Sequence, residues 1–242
     1  MRALQRVMAI LSAVADAPEP QTPARVARTT ALSLSTVARM MREMADEGLL
    51  ERSERDGSYA LGTRLYRIVQ AGARYSDPVS SIRPILTEVR DATGETTSLH
   101  VRNRGQRVCI AEVQSQHDLR RVVPLGLALS LYGTATGEVL LAGAPPEERE
   151  QELDDLGLST SEHAELEARL TKIRAQGWAI VSDRWLQGVT GLSVAVRNQG
   201  TTIAALSASG PTSRFTPEIA ENHVPLLIDA ADRVATHLAA HP

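Results

Sequence analysis

The stretch "LSLSTVARMMREM", residues 32–44, decides how the first part of the chain folds. Its apolar residues recur at i, i+3, i+4, i+7 and i+8, the spacing of the buried stripe on an amphipathic helix. That stripe consists of Val37, Met40, Met41, Met44 and Ala45, and the opposite face carries Ser35, Thr36, Arg39, Arg42, Glu43 and Asp46. Most polar helix faces are only solvated, so the neighbouring segments must decide whether this face contacts a partner.

Two helices are predicted before this stretch. Residues 2–16 carry an apolar stripe of helical period and end at a proline-containing segment. The segment "PARVART", residues 23–29, has a proline in its first turn and Thr22 as its N-cap. The short connection "TALS" then leads to Ser33, which is placed to cap the third helix. That third helix ends just before Gly48, a residue that commonly terminates helices.

A β-hairpin is predicted directly after the third helix. The runs "LLERS", residues 49–53, and "SYALG", residues 58–62, are strand-like, and "ERDG" joins them. The dipeptide Asp56-Gly57 is a strong hairpin signal. The order helix, helix, turn, helix, hairpin is that of a winged helix-turn-helix, whose third helix enters the major groove of DNA while the hairpin touches the backbone. The neighbours therefore favour a DNA-contacting role for the polar face.

The remaining segments predict a second domain of the α+β class. One more helix covers residues 63–75, and "SDPVSS", residues 76–81, marks the boundary. Strands are predicted at 95–103, 106–113 (after a turn at Arg104-Gly105), 119–126, 178–183, 191–198 and 201–209, with helices at 81–94, 132–143, 145–157, 161–177 and from Thr216 to Ala240. Antiparallel strands with helices at both ends imply one mixed or antiparallel sheet. We therefore divide the chain into a winged helix-turn-helix (1–61), a linker helix (62–77) and a second domain (78–242).

Composition and charge limit the function classes. The 242 residues are 43% hydrophobic and 23% charged, and no apolar run approaches the roughly 18 residues of a membrane span, so we expect no membrane partner. One cysteine cannot form an internal disulfide, which predicts a cytoplasmic protein. Residues 1–75 carry eleven arginines and eight acidic residues (net +3), and residues 76–242 carry fifteen basic and twenty-one acidic residues (net −6). This asymmetry suits two parts with different partners.

The N-terminal segment "MRALQRVMAILSAVADAPEP" superficially resembles a signal peptide. Arg6 and Asp16 interrupt its apolar run, and its apolar residues follow a helical period. We therefore interpret it as an amphipathic helix of the folded protein.

Over nearly its whole length the chain resembles the IclR family of bacterial transcriptional regulators. Four segments carry this resemblance in the right order and spacing: the winged helix-turn-helix of residues 22–65, "GTATGEVLLA" (133–142), "IRAQGWAI" (173–180) and "AALSASGPTSRFTPE" (204–218). The resemblance implies a C-terminal GAF-like domain that binds a small effector, commonly a carboxylate or aromatic metabolite. It also implies a homodimer or a dimer of dimers that binds double-stranded operator DNA.

The candidate DNA-binding residues lie on the third helix and in the wing. Hydroxyls at the start of the third helix, and two arginines on its exposed face, are placed to meet bases or phosphates, whereas the wing arginines suit phosphates. These residues are Ser33, Ser35, Thr36, Arg39, Arg42, Arg52 and Arg55. The alternative for the helix arginines is a solvated surface or pairing with Glu43 and Asp46.

The resemblance also implies an effector pocket. Family pockets are lined by a helix start, an acidic residue, a cysteine or similar residue and two strand serines. The corresponding residues here are, in that order, Ala135, Thr136 and Gly137, then Val181, then Gly191, then Ser207 and Ser209. Asp183, two residues after Val181, is the candidate replacement for the acid. Valine and glycine in place of the acid and the cysteine predict a roomier, more apolar pocket. We therefore expect a mid-sized carboxylate with an apolar or aromatic body, held in part by amides near Thr134–Gly137.

Other chemistry is weakly supported by the sequence. Cys109 lies among aliphatic residues, where a cysteine is usually core packing, even though His100 is a nearby candidate base. His237 and His241 have i, i+4 spacing but no third ligand, so we expect no metal site, and no cofactor is indicated.

Two rival hypotheses for the function remain. One is a ligand-binding enzyme with an accessory helical domain, which needs a visible nucleophile or base cluster. The other is a protein-interaction module whose winged helix contacts protein. The effector, the target genes, repression or activation, and dimer or tetramer stay open.

Overall fold

The structure, a computed structural model, describes residues 3–75, 78–103 and 105–239. The chain divides into two compact units, residues 1–77 and residues 78–242. Positions named in the sequence predictions that lie outside the described residues are Arg2, Ser76, Asp77, Arg104, Ala240 and His241.

The first unit contains the predicted helices and hairpin. Its elements are α1 (Ala3–Ala15), α2 (Pro23–Thr30), α3 (Leu34–Asp46), β1 (Leu50–Arg52), β2 (Tyr59–Leu61) and α4 (Thr63–Tyr75). The methionine stripe of α3 packs with α1, α2 and the hairpin in one core, which comprises Ile10, Val14, Val26, Val37, Met40, Met41, Met44, Leu50 and Tyr59. The apolar periods of α1 and α3 are therefore core faces, as the sequence predicts.

Local chemistry sets the ends of α2 and α3. Thr22 occupies the N-cap position of α2 but makes no side-chain cap bond, so only its backbone carbonyl supports the first turn. Ala31 follows α2 in the left-handed region (φ 54°), which turns the chain sharply towards α3. Ser33 is the predicted cap of α3, and its Oγ accepts a hydrogen bond from the backbone N–H of Thr36 at 3.3 Å. The left-handed residue Ala31 and the cap at Ser33 together set the direction in which α3 leaves the turn.

The hairpin that follows α3 is short and antiparallel, with Leu50 opposite Leu61 and Arg52 opposite Tyr59. Its turn is closed by Asp56, whose Oδ1 accepts hydrogen bonds from the backbone N–H and the hydroxyl of Ser58. These hydrogen bonds lower the pKa of Asp56 to about 2. The carboxylate is thus ionised throughout the neutral range and holds the wing turn in one shape.

The second unit is a six-stranded antiparallel sheet with helices on both faces. Its elements are α5 (Pro78–Thr93), β3 (Thr96–Asn103), β4 (Gln106–Val113), β5 (Ala128–Ser130), α6 (Ala135–Ala142), α7 (Pro146–Asp155), α8 (Thr160–Gln176), β6 (Trp178–Ser182), β7 (Val189–Asn198), β8 (Thr201–Pro211), α9 (Pro217–Asn222) and α10 (Val224–Ala239). The strand order is β5-β4-β3-β8-β7-β6. Helices α5 and α10 pack on one face, and α6 and α8 form a separate core on the other.

Two predicted elements of the second unit are wrong. Residues 119–126 form no strand; the third strand of this region is β5, which pairs only with residues 106–108 of β4. The closing helix is two helices, because the chain breaks at His223 between α9 and α10. Within the described part of the chain, no helix is long and apolar enough to cross a membrane.

Candidate functional site

The first candidate surface is the polar face of α3 together with the wing. Ser33, Ser35, Arg39 and Arg42 are exposed, and Thr36 is half-buried beside them. The hydroxyl of Ser33 lies 2.8 Å from that of Thr36 and 3.2 Å from that of Ser35, so the three predicted donors form one local network at the helix start. This network fixes their geometry before any partner binds.

The two arginines of α3 differ in their surroundings. Arg39 forms an exposed ion pair with Glu43 at 2.7 Å, one of the alternatives left open by the sequence. Arg42 makes no ion pair or hydrogen bond with any residue that the structure describes. Exposed pairs one helical turn apart contribute only about 0.3–0.5 kcal/mol, so a phosphate or a base can displace Glu43 at little cost.

The wing presents two further cations. Arg52 on β1 and Arg55 in the turn are both exposed, and within the described residues neither has an acidic partner. The guanidinium of Arg52 reaches across the turn, since a Cβ added at Gly57 would lie 3.6 Å from its Nη2. Of the four arginines predicted to contact DNA, three therefore have no acidic partner among the described residues: Arg42, Arg52 and Arg55.

The second candidate site is a partly open cavity of about 60 Å³ on the α6 face of the sheet. The cavity is lined by residues from five strands, three loops and the start of α6: Ser98, His100, Arg107, Arg121, Val123, Gly133, Thr134, Ala135, Thr136, Val181, Arg184, Trp185, Leu186, Val189, Gly191, Ser207 and Ser209. Apolar walls with a few convergent polar groups are typical of small-molecule sites.

Six of the eight residues predicted for the effector pocket lie around this cavity: Ala135, Thr136, Val181, Gly191, Ser207 and Ser209. The start of α6 lies against β7, since a Cβ added at Gly191 would be 3.8 Å from that of Ala135. The hydroxyl of Ser207 donates to the carbonyl of Leu192, whereas that of Ser209 has no hydrogen bond to a described residue. Ser209 is therefore the freer of the two serines.

The other two predicted residues, Gly137 and Asp183, lie outside the lining of this cavity. Gly137 packs against backbone, because a Cβ there would lie 2.1 Å from the carbonyl oxygen of Leu131. Asp183 adopts a left-handed conformation (φ 56°), and its carboxylate accepts hydrogen bonds from the Gly188 N–H at 2.6 Å and the Ser182 hydroxyl at 3.0 Å. Asp183 thus closes its own loop and does not replace the missing acid.

Two arginines that the sequence predictions did not include lie at the cavity. Arg107 on β4 is only 4% exposed, and its Nε donates to the carbonyl of Ser130 at 3.1 Å. Arg121 is half-buried, and both guanidiniums lie over the ring of Trp185, at 5.7 and 5.8 Å from its centroid. Neither forms an ion pair with a described acidic residue. Burial and the nearby Arg121 lower the pKa of Arg107 to about 10, and burial also lowers the pKa of Arg121.

The third arginine of the lining shares one carboxylate with another arginine. Arg184 lies 3.7 Å from Glu138, and Glu138 also accepts two hydrogen bonds from Arg169 at 3.1 Å each. Arg107 and Arg121 are thus the lining arginines with no ion pair to a described acidic residue.

His100 and Cys109 are neighbours across β3 and β4, but their charge states oppose a catalytic pair. Burial raises the pKa of the Cys109 thiol to about 12, and burial together with Arg107 and Arg121 lowers the pKa of His100 to about 3. The thiol donates to the carbonyl of Ala111, and the imidazole Nε2 contacts the hydroxyl of Ser98. In the described part of the chain, no three His, Cys, Asp or Glu side chains are placed to hold a metal ion.

Comparisons with known proteins agree over both units. The family model described as "Bacterial transcriptional regulator IclR C-terminal" matches residues 74–236, and the "IclR helix-turn-helix domain" matches residues 3–54. The HTH-type transcriptional repressor AllR of Klebsiella pneumoniae is 26% identical, covering 100% of this chain and 91% of that protein. The HTH-type transcriptional regulator KdgR of Escherichia coli (strain K12) is 29% identical, covering 87% and 82%. The crystal structure of an IclR homolog complexed with 4-hydroxybenzoate, from Microbacterium hydrocarbonoxydans, is 26% identical with a TM-score of 0.81, covering 98% and 99%.

A winged helix-turn-helix joined to an α+β unit of this family's C-terminal type defines a DNA-binding transcriptional regulator with a GAF-like effector domain. The chain belongs to the IclR family of bacterial transcriptional regulators. The enzyme hypothesis is set aside, since the relatives are named as regulators and repressors.

Proposed function

We propose that this protein changes its affinity for operator DNA when a carboxylate effector of moderate size, with an apolar or aromatic body, enters the cavity. The observation that carries the proposal is Arg107, a residue that is only 4% exposed, lines the cavity and has no acidic partner among the described residues. Leaving a buried cation unpaired is unfavourable, and an anionic ligand relieves that cost. An arginine also binds a carboxylate with two parallel hydrogen bonds.

The walls of the cavity support an apolar body for this effector. Val123, Val181 and Val189 line it, and the indole of Trp185 stands beside the guanidiniums. An acid of two or three carbons leaves these surfaces unfilled, whereas a ring buries them. The Microbacterium homolog was crystallised with 4-hydroxybenzoate, an acid of this size.

On DNA, we propose that Ser33, Ser35, Thr36, Arg39 and Arg42 meet bases and nearby phosphates, while Arg52 and Arg55 hold phosphates of the flanking backbone. One chain presents one such helix, so a homodimer, or a dimer of dimers, is needed to bind a two-fold symmetric operator. Exposed apolar side chains on α1 and α4 support this assembly: Leu4, Met8, Tyr66, Ile68 and Val69. Residues 62–77 are the proposed linker that couples the two activities.

A bacterial operator lies in the cytoplasm, and we place the protein there. We infer repression as its mode of action, because the Klebsiella relative is named a transcriptional repressor. A ligand alters DNA affinity only by the amount to which it favours one arrangement of the protein over another.

The test combines calorimetry with operator binding. The operator is first selected from random double-stranded DNA with the full-length protein. Benzoate and 4-hydroxybenzoate are then titrated against acetate, glyoxylate and pyruvate. We expect measurable binding of the ring acids, a shift in operator affinity in their presence, and at least a tenfold weaker binding to the Arg107→Gln variant.

Arg120→Gln is the matched control, because Arg120 lies on the same loop as Arg121 but is absent from the cavity lining. Tight binding of only the two- and three-carbon acids, or unchanged ring-acid binding by the Arg107→Gln variant, contradicts the proposal.

A further inference from the structure

We propose that Leu34, the first residue of α3, recognises a thymine of the operator by packing against its C5-methyl group. This inference rests on the proposed function, since it assigns one base contact to the DNA-binding surface of the first unit. It comes from an exposed leucine at the start of the helix that takes no part in the core of that unit.

Leu34 interrupts an otherwise polar helix face. The structure describes all of α3, and Leu34 is 54% exposed. The other exposed residues of this helix carry hydroxyl, guanidinium or carboxylate groups: Ser35, Arg39, Arg42, Glu43 and Asp46. A leucine left in water forgoes the free energy that its burial would supply. A partner that offers an apolar group at this point would recover that free energy.

The start of α3 does not depend on Leu34 for its stability. Ser33 caps the helix by accepting a hydrogen bond from the Thr36 N–H at 3.3 Å. Leu32 and Val37 occupy the two positions that form a hydrophobic staple, and both belong to the core of the first unit. That core, as the described residues define it, does not include Leu34. The Leu34 side chain is therefore available to a partner of the helix.

Leu34 also occupies the part of the motif that contacts bases. In a helix-turn-helix, the N-terminal residues of the helix that enters the major groove contact base edges. Leu34 is the first residue of that helix, between Ser33 and Ser35, whose hydroxyl oxygens lie 3.2 Å apart. The hydrogen bonds of Ser33 hold this turn in one geometry, so the position of Leu34 is set before DNA binds.

Leucine can distinguish base pairs without hydrogen bonds, through the polarity of their edges. The apolar group that the major groove presents is the C5-methyl of thymine, whereas cytosine presents an amino donor and guanine presents two acceptors. An isobutyl group packed on one of these polar edges would leave it without a hydrogen-bond partner, which is unfavourable. Leu34 therefore suits a T·A base pair.

The first test removes the methyl group and leaves the rest of the base unchanged. In the operator selected with the full-length protein, each thymine is replaced in turn by deoxyuridine, together with its symmetry mate in the other half-site. Fluorescence anisotropy should show that the wild type loses about fourfold in affinity per half-site at one thymine position. Leu34→Ala should bind the thymine and uracil operators at that position equally, within a factor of about 1.5.

The second test restores the methyl group on a different base. At the same position, cytosine and 5-methylcytosine, each paired with guanine, differ by the C5-methyl alone. The wild type should prefer 5-methylcytosine several-fold, and Leu34→Ala should bind both equally.

Leu125→Ala is the matched control, because it removes the same atoms from an exposed leucine of the second unit. It should keep the full uracil effect of the wild type. Since Leu34 is exposed and alanine favours the helix, Leu34→Ala should keep the wild-type midpoint of thermal unfolding and the wild-type mass by light scattering.

Three results would overturn the inference while leaving operator binding intact. They are a wild type that tolerates uracil at every thymine, a Leu34→Ala variant that stays as sensitive to uracil as the wild type, and a changed mass of that variant, which would assign Leu34 to a protein contact. Failure to select any operator contradicts the proposed function itself.

Discussion

At the residue scale, the buried imidazole of His100 links the cavity to the acid stability of the second unit. Burial, reinforced by Arg107 and Arg121, lowers its pKa to about 3 from 6.5. Below pH 6.5 His100 is protonated in the unfolded chain but stays neutral in the folded chain down to about pH 3. The free energy of unfolding is therefore highest above pH 6.5, with respect to this group, and falls progressively towards pH 3. The free energy of unfolding should fall by about 1.4 kcal/mol per pH unit within this window from His100 alone.

We therefore expect the wild type to lose about 2 kcal/mol more stability than His100→Gln between pH 7.5 and pH 5. Glutamine keeps a polar partner for Ser98 without titrating. Urea unfolding followed by tryptophan fluorescence is a suitable measurement, because the two tryptophans, Trp178 and Trp185, both lie in the second unit. Carboxylates elsewhere titrate in both proteins and cancel in the comparison. Equal losses in the two proteins would show that His100 is protonated in the folded state.

At the element scale, strand β4 explains why the sequence predictions missed Arg107. In an unbroken strand Arg107 shares a face with Ala111 and Val113, which pack against α5 and α10. The register shifts between Leu99 and His100, so that Leu99 lies opposite Ala111 but His100 lies opposite Cys109. The extra residue, Ile110, forms a bulge that turns Arg107 towards the cavity face. Period-2 alternation indicates that Arg107 is buried, but it cannot reveal a bulge or the face on which the cavity lies.

The local signals of the first unit were more informative, because they depend on neighbours in sequence. The cap at Ser33, the stop at Gly48 and the Asp56-Gly57 turn each fix their element through short-range bonds, and all three lie at the predicted places. Residues 119–126 show the opposite case. Their apolar residues resemble a strand, yet Val123 is buried while Leu119 and Leu125 are exposed, and β4 offers only residues 106–108 for pairing on that side. The conformation of this segment is therefore determined by which residues of β4 are available for pairing, and not by its local apolar pattern.

Replacing an arginine of α3 and replacing an arginine of the wing should lower DNA affinity in different ways. Arg42→Ala, which removes a cation without an intramolecular partner, should lower operator affinity by about 1–3 kcal/mol if Arg42 contacts a guanine edge, and should relax selectivity at that base pair. Arg52→Ala should instead weaken binding to all sequences and reduce the salt slope by about 0.9. Fluorescence anisotropy at several salt concentrations separates the two outcomes.

Glu43→Ala is the matched control on α3, since it releases Arg39 without removing a cation. Its operator affinity should stay equal or rise slightly. Unchanged operator affinity after replacing both Arg39 and Arg42 by alanine would count against the DNA assignment of this face and would favour a protein partner.

At the scale of the whole molecule, the two units divide the charge as well as the fold. Residues 1–75 carry a net charge of +3 and the remainder carries −6, which matches a DNA-contacting unit joined to a unit with a different kind of partner. Each unit has its own buried core. The first unit also leaves apolar side chains uncovered, which a second copy of the chain is suited to bury.

We expect assembly to depend on the exposed apolar residues of α4. Tyr66 and Val69 are 68% and 66% exposed, and Ile68 lies beside them at 56%. Replacing both Ile68 and Val69 by glutamate should give a monomer by light scattering, because burying carboxylates in an apolar contact is unfavourable. Operator affinity should fall at least a hundredfold, since two half-sites can no longer be bound together.

The matched control is Ile228→Glu, the same chemical change at an exposed helix position in the second unit. It should keep the dimer mass, and both proteins should keep the ring-acid binding of the wild type, which shows that the second unit is folded. A dimer that persists in the Ile68 and Val69 double variant would mean that the copies meet through another surface. The symmetry of the operator would then be set by that surface, and α4 would act only in coupling the cavity to the wings.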